Sequence, residues 1–190
     1  MTDDEARWIA KARAGDAAAF RHLVDANAGT LFHVCARITG DRAIAEDAVQ
    51  EALFNAFRHL ADFDGRAAFS TWLYRIAVNA ALVQVRKRRH LELAWSEHDD
   101  GDGTMLLDAA DELPTPDRHA VSADIRRDVE AELSRMTPIE RTAFVLRHQE
   151  GRSLQEISAM LSLNVGAAKQ AIFRAVRKLR AALEAPGETA

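Results

Sequence analysis

The sequence predicts an all-α protein: two small helical domains joined by an acidic linker. Three observations carry that expectation. The 190 residues are 48% hydrophobic but only 6% aromatic, with Ala and Leu prominent, which favours helices packed through small and aliphatic side chains over β-sandwiches. Apolar residues recur at helical spacing on both sides of a central gap. The net charge of −4 is unevenly spread. Residues 1–91 are net +2, residues 92–117 hold nine acids and no Lys or Arg, and residues 118–190 are net +3.

The same counts exclude several classes. Four Pro and nine Gly rule out collagen-like and low-complexity chains. One cysteine, Cys35, excludes an internal disulfide and a cysteine-built zinc site, and points to a reducing cytoplasm. No apolar run approaches the roughly 20 residues of a membrane span, and the acidic start, Met1 to Glu5, is the opposite of a secretory signal. The seven His are scattered, with no His-Glu-x-x-His pattern, no phosphate-cradling glycine loop and no nucleophile elbow. The expectation is a cytoplasmic protein without membrane insertion, cofactor, metal, small-molecule substrate or catalytic residues.

In the first domain, residues 1–91, Asp16 caps a helical run whose apolar residues Phe20, Leu23, Val24, Leu31, Val34 and Ile38 lead to a stop at Gly40. Asp41 caps the next helix, where Ile44, Ala48, Phe54 and Phe57 supply much of the apolar surface. Phe63-Asp64-Gly65 breaks that helix, because Gly accepts turn geometry at little cost. From Phe69 a long helix carries a buried stripe of Phe69, Trp72, Leu73, Ile76, Ala80 and Val83. Its other surface shows Arg75 and Asn79 and leads into Arg86-Lys87-Arg88-Arg89. A three- or four-helix bundle fits.

The linker, residues 92–121, contains Asp100-Gly101-Asp102-Gly103 and Pro114-Thr115-Pro116. Charge with Gly and Pro punctuation reads as a tether that packs no core of its own. Trp95, Met105, Leu106 and Leu107 suggest short docking contacts along it.

The second domain, residues 122–190, has a helix-turn-helix layout. Ser122 caps a helix to Met136. Thr137-Pro138-Ile139-Glu140 and Ser153-Leu154-Gln155-Glu156 are capping boxes, the second following a stop at Gly151. Asn164 caps a final helix with an apolar stripe of Ala168, Ile172, Ala175, Val176, Leu179 and Leu183. Gln170, Arg174 and Arg177 share another face, with Lys169, Phe173 and Arg180 beside them. A helix buried on one side and cationic on the other suits a major groove. Phosphate contacts would then supply most of the affinity, and base-edge contacts the discrimination.

Two stretches resemble region two of the bacterial sigma-70 family in its extracytoplasmic-function group: Ala45-Glu46-Asp47-Ala48-Val49-Gln50-Glu51-Ala52-Leu53, and Phe69-Ser70-Thr71-Trp72-Leu73-Tyr74-Arg75-Ile76-Ala77-Val78-Asn79. Leu154-Gln155-Glu156-Ile157-Ser158 through Arg174-Ala175-Val176-Arg177-Lys178-Leu179-Arg180 resembles region four. The likeness covers roughly residues 10–89 and 122–184, in the order region two, acidic linker, region four.

The resemblance implies roles for named residues. Asp47, Gln50, Glu51 and Asn55 would bind the β′ clamp helices of bacterial core RNA polymerase. Ala61 to Ala68, with Phe69, Trp72, Arg75, Asn79 and Arg86, Lys87, Arg88 and Arg89, would recognise and open the minus-ten element of promoter DNA. Lys169, Gln170, Phe173, Arg174, Arg177 and Lys178 would read the minus-thirty-five element, on a domain that also touches the β flap. A separate anti-sigma factor would clamp the two domains, and the acidic linker would thread towards the polymerase cleft as a mimic of nucleic-acid phosphates. Four residues depart from the pattern at three places: Val83 stands where Asp is common, Gln170-Ala171 where Ser-Arg is common, and Phe173 where His is frequent. The first leaves local packing near the basic cluster open; the last two put the usual promoter preference in doubt.

Plainer readings stand beside these. Phe69 and Trp72 at helical spacing are ordinary core residues, Asp47 and Glu51 an ordinary solvated face, Arg86 to Arg89 a solvated helix end, and the linker a passive tether. As whole-protein alternatives, a helix-turn-helix repressor leaves the 45–89 match unexplained. A sigma-like adaptor acting by mimicry has no need of the two cationic faces.

Overall fold

A computed structural model describes residues 3–96 and 122–184, with side-chain environments for 4–91 and 129–184. The chain divides into two compact units, Met1–His90 and Leu91–Ala190. Every described regular element is helical. The Gly- and Pro-punctuated part of the acidic stretch, with Met105 to Leu107, lies outside the described residues.

The first unit contains α1 (Asp3–Arg13), α2 (Ala17–Asp25), α3 (Ala28–Thr39), α4 (Arg42–Arg58), a 3-10 turn (Leu60–Asp62) and α5 (Phe69–Ser96). Helix α1 was not anticipated, and the single run expected between Asp16 and Gly40 is two helices. The break falls at Asn27, whose side-chain amide donates to the Leu23 carbonyl at 2.8 Å while its own N–H turns to Val24, a local bond that competes with the helix ladder. Asp16 caps α2 by accepting from the N–H groups of Ala18 and Ala19. Gly40 closes α3 with φ 67°, a left-handed turn that only glycine adopts freely. Asp41 caps α4 through the Ile44 N–H at 3.0 Å.

Leu31, Val34, Ile38, Phe69, Leu73 and Val78 form the fully buried centre of this unit. The buried face of α4 is Ala45, Ala48, Ala52 and Ala56, not the larger residues expected there. Phe54 and Phe57 point outward, 57% and 49% exposed. On α5 the stripe shifts in the same way: Ala77, Val78, Ala81 and Leu82 are buried, whereas Val83 faces solvent. Helix α5 also runs on to Ser96, so the first five residues of the expected linker continue it.

The second unit contains α6 (Ser122–Arg135), α7 (Pro138–Phe144), a π turn (Val145–Gln149), α8 (Leu154–Met160) and α9 (Val165–Glu184). Both capping boxes form as the sequence dictates, at Thr137/Glu140 and Ser153/Glu156. Leu133 and Met136 pack on Ala175 and Leu179, with Val129 and Phe144 alongside. A tight turn with Ser162 at φ 53° joins α8 to α9. There Asn164 accepts from the Ala167 N–H at 2.7 Å and starts the last helix.

Candidate nucleic-acid interface

On α4, Asp47, Gln50 and Glu51 sit together in a shallow depression with Phe54 and with Gln84 of α5. Asn55 is half-buried at its edge and donates to Glu51 at 3.0 Å. Arg58 lies over the Phe54 ring, 5.5 Å from its centroid. The sequence reading missed Phe54 as part of this face, although it follows Gln50 and Glu51 by four and three residues. The arrangement is an acidic rim around an exposed aromatic.

A second depression opens beside the 3-10 turn, lined by Asp62 to Asp64, Arg66, Ala67, Trp72 and Arg75. Phe63 and Trp72 line it and Phe69 packs against both: Phe63 and Phe69 meet edge to face at 5.8 Å, and Trp72 leans on both at 5.2 and 5.6 Å. Phe69 has no exposed surface, which corrects its placement among DNA-facing residues. Its ring is a seat for Trp72, because every face is already covered by core. Gly65 turns the loop at φ 74°. The Arg66 backbone N–H, and then its guanidinium, hold the Asp64 carboxyl below the usual carboxylate range.

Along α5, Arg75, Asn79, Val83 and Arg86 follow one another on an exposed face, with Lys87 and Arg89 also solvent-facing. Arg88 differs, since its guanidinium reaches Asp41 at 3.3 Å and so staples the end of α5 to the start of α4. An exposed apolar at Val83 means that no carboxylate interrupts this cationic row.

On α9 the inward face is Ala168, Ala171, Ala175 and Leu179. Ala171 is fully buried. This corrects the expectation that the departure at 171 bears on promoter preference, because that position faces core. Lys169, Gln170, Phe173 and Arg177 are exposed, Phe173 to 61%. Arg174 and Lys178 are turned to one side, donating to the two oxygens of Glu140 at 2.8 and 2.7 Å. Glu140 is 3% exposed. Burial alone would push its carboxyl up; the bonds from Lys178, Arg174 and Thr137 outweigh that and bring it down to about 2. This ion pair was invisible in the sequence, where Glu140 read only as half of a capping box.

Residues 23–91 match the family model described as sigma-70 region 2, and residues 126–179 the one described as sigma-70, region 4. The ECF RNA polymerase sigma factor SigW of Bacillus subtilis (strain 168) is 31% identical over 173 residues, 90% of this chain and 92% of that one. The chain belongs to the extracytoplasmic-function (ECF) group of the sigma-70 family. The RNA polymerase sigma-H factor of Pseudomonas aeruginosa is 30% identical over 188 residues, 96% of this chain and 95% of that relative. Among solved structures, CnrH in complex with the cytosolic domain of CnrY is 26% identical with a TM-score of 0.62, covering 97% of this chain and 100% of that one. The sigma factor RpoE of Bartonella quintana, in complex with NepR, shares the fold at 21% identity and a TM-score of 0.64, over 88% and 98% of the two chains. As an ECF sigma factor the chain is a transcription initiation factor that directs RNA polymerase to promoters. Region two falls in the first unit and region four in the second.

Proposed function

We propose that each depression and face serves one step of promoter recognition. The α4 depression, with Asp47, Gln50, Glu51 and Asn55, receives the β′ clamp helices of core polymerase. The 61–68 loop with Trp72, Arg75, Asn79 and Arg86, Lys87, Arg88 and Arg89 takes hold of the opened minus-ten strand, where an aromatic holds an unstacked base and cations neutralise the backbone. The exposed face of α9 lies in the major groove of the minus-thirty-five element. The observation that carries this reading is the pairing of one buried and one cationic face on both α5 and α9.

On this reading the domains span 1–91, 92–121 and 122–190, the factor works in the cytoplasm beside its polymerase, and the polymerase performs all the chemistry. Two similar solved structures hold a second protein, the cytosolic domain of CnrY in one and NepR, named as an anti-sigma factor, in the other. By that likeness this chain is held inactive by a separate anti-sigma protein.

The test is reconstitution with bacterial core polymerase, followed by sequencing of run-off transcripts from fragmented genomic DNA. Discrete start sites sharing two upstream motifs are the expected result. A folded chain that neither binds core nor yields transcripts overturns the proposal in favour of a repressor or an adaptor.

A further inference from the structure

Helix α1 lies outside every motif that the sequence singles out, and its last residue reaches across the unit. The Arg13 guanidinium donates through Nε to the Leu60 carbonyl at 3.1 Å, and through Nη2 to the Ala61 carbonyl at 3.3 Å and to the Phe63 carbonyl. Those acceptors lie 47 to 50 residues away. They belong to the 3-10 turn and to the first residue after it, where the second depression begins. The Phe63 side chain, 3% exposed, then meets Phe69 and Trp72. A planar fork with several fixed donors is suited to gathering divergent carbonyls, which a point-charge ammonium does less well. We infer that Arg13 is a positioning residue for minus-ten recognition: it fixes the entry of the 60–66 loop, and through Phe63 the pose of Trp72, without touching DNA itself.

The inference rests on the reading that this loop and Trp72 meet the minus-ten strand. It follows that loss of the fork loosens base selection at that element while leaving the α4 depression and the α9 face intact. The experiment uses holoenzyme assembled from core polymerase and the full chain, as wild type, Arg13→Ala and Arg13→Lys. Each transcribes a promoter library randomised across both upstream elements, and productive sequences are read from the run-off transcripts.

Expected for Arg13→Ala is unchanged core affinity, an unchanged minus-thirty-five motif, and a minus-ten motif whose base enrichment falls on the order of tenfold, as a small misplacement of a positioning group allows. Arg13→Lys falls between the two. An Arg13→Ala minus-ten motif as sharp as wild type overturns the inference. Equal loss of core affinity and of both motifs overturns it too, since Arg13 would then serve only the fold of the unit. A wild-type library that yields no motif pair sinks the underlying reading instead.

Discussion

Glu140 Oε1 accepts from Arg174 Nε at 2.8 Å, joining the first turn of α7 to the middle of α9 across 34 residues. Lys178 occupies the other carboxylate oxygen at 2.7 Å, and the Thr137 N–H completes the capping box. One buried carboxylate therefore starts one helix and holds two side chains of another, α9, to one side.

That carboxyl sits at about 2 in the folded chain, against 4.5 for an ordinary Glu. A depressed value means that its stabilisation is complete above pH 4.5 and is lost as pH falls towards 2. The shift corresponds to about 3 kcal/mol at face value. Because the two cations are themselves partly exposed, with side chains 47% and 37% accessible, about 1–3 kcal/mol is the expected contribution. Urea unfolding of Glu140→Gln, followed by far-ultraviolet circular dichroism at a series of pH values, should show that loss at neutral pH. It should also show a flatter acid limb than wild type.

The pairing also sorts the cations of α9. Arg177 faces solvent, whereas the Lys178 charge is already answered by Glu140. Measured as the slope of log affinity against log salt on promoter DNA, Arg177→Ala should reduce the slope by about one phosphate equivalent, and Lys178→Ala by clearly less. Equal slopes for the two variants would contradict this sorting.

Thr142 has no exposed surface, and its hydroxyl oxygen has no hydrogen-bond partner. An unmade bond in the core costs more than an absent polar group. Thr142→Val, close in shape, should therefore stabilise the second unit by about 1 kcal/mol, seen as a raised thermal midpoint.

Ser162 holds φ at 53° in the turn before α9, a region that costs an L-residue about 1–2 kcal/mol. Ser162→Gly relieves the strain while giving up some chain entropy in the unfolded state, for a net gain of about 0.5–1 kcal/mol. Ser162→Val should lose stability. Denaturant midpoints of the two variants decide the sign.

What the sequence disclosed was what neighbours along the chain decide. Thr137 with Glu140 and Ser153 with Glu156 are three residues apart, so composition and spacing sufficed to place both caps. The outward cations of α5 and α9 were legible for the same reason, because charge seldom lies inside without a partner. Glu140 is the exception that has partners, and they come from another helix. The apolar faces were read less well. Size ranking favours Phe54, Phe57 and Val83 for the interior, yet all three are exposed and alanines fill the buried face of α4. Ala171 is the converse, a small residue whose inward position its size does not announce. Arg13 and the 3-10 turn could not be connected in advance, since nothing within a few residues of either reports the other.

The alanine seam of α4 divides that helix by its tolerance of change. Ala45, Ala48, Ala52 and Ala56 are fully enclosed, so even one added methyl group must displace the helix or its neighbour. Asp47, Gln50, Glu51 and Phe54 project from the opposite side, where replacement leaves the packing untouched. A lineage can thus vary the exposed face of α4 by drifting through its outer residues, while the inner four keep that face in place. A freely variable face and a tightly restricted one are two sides of the same helix.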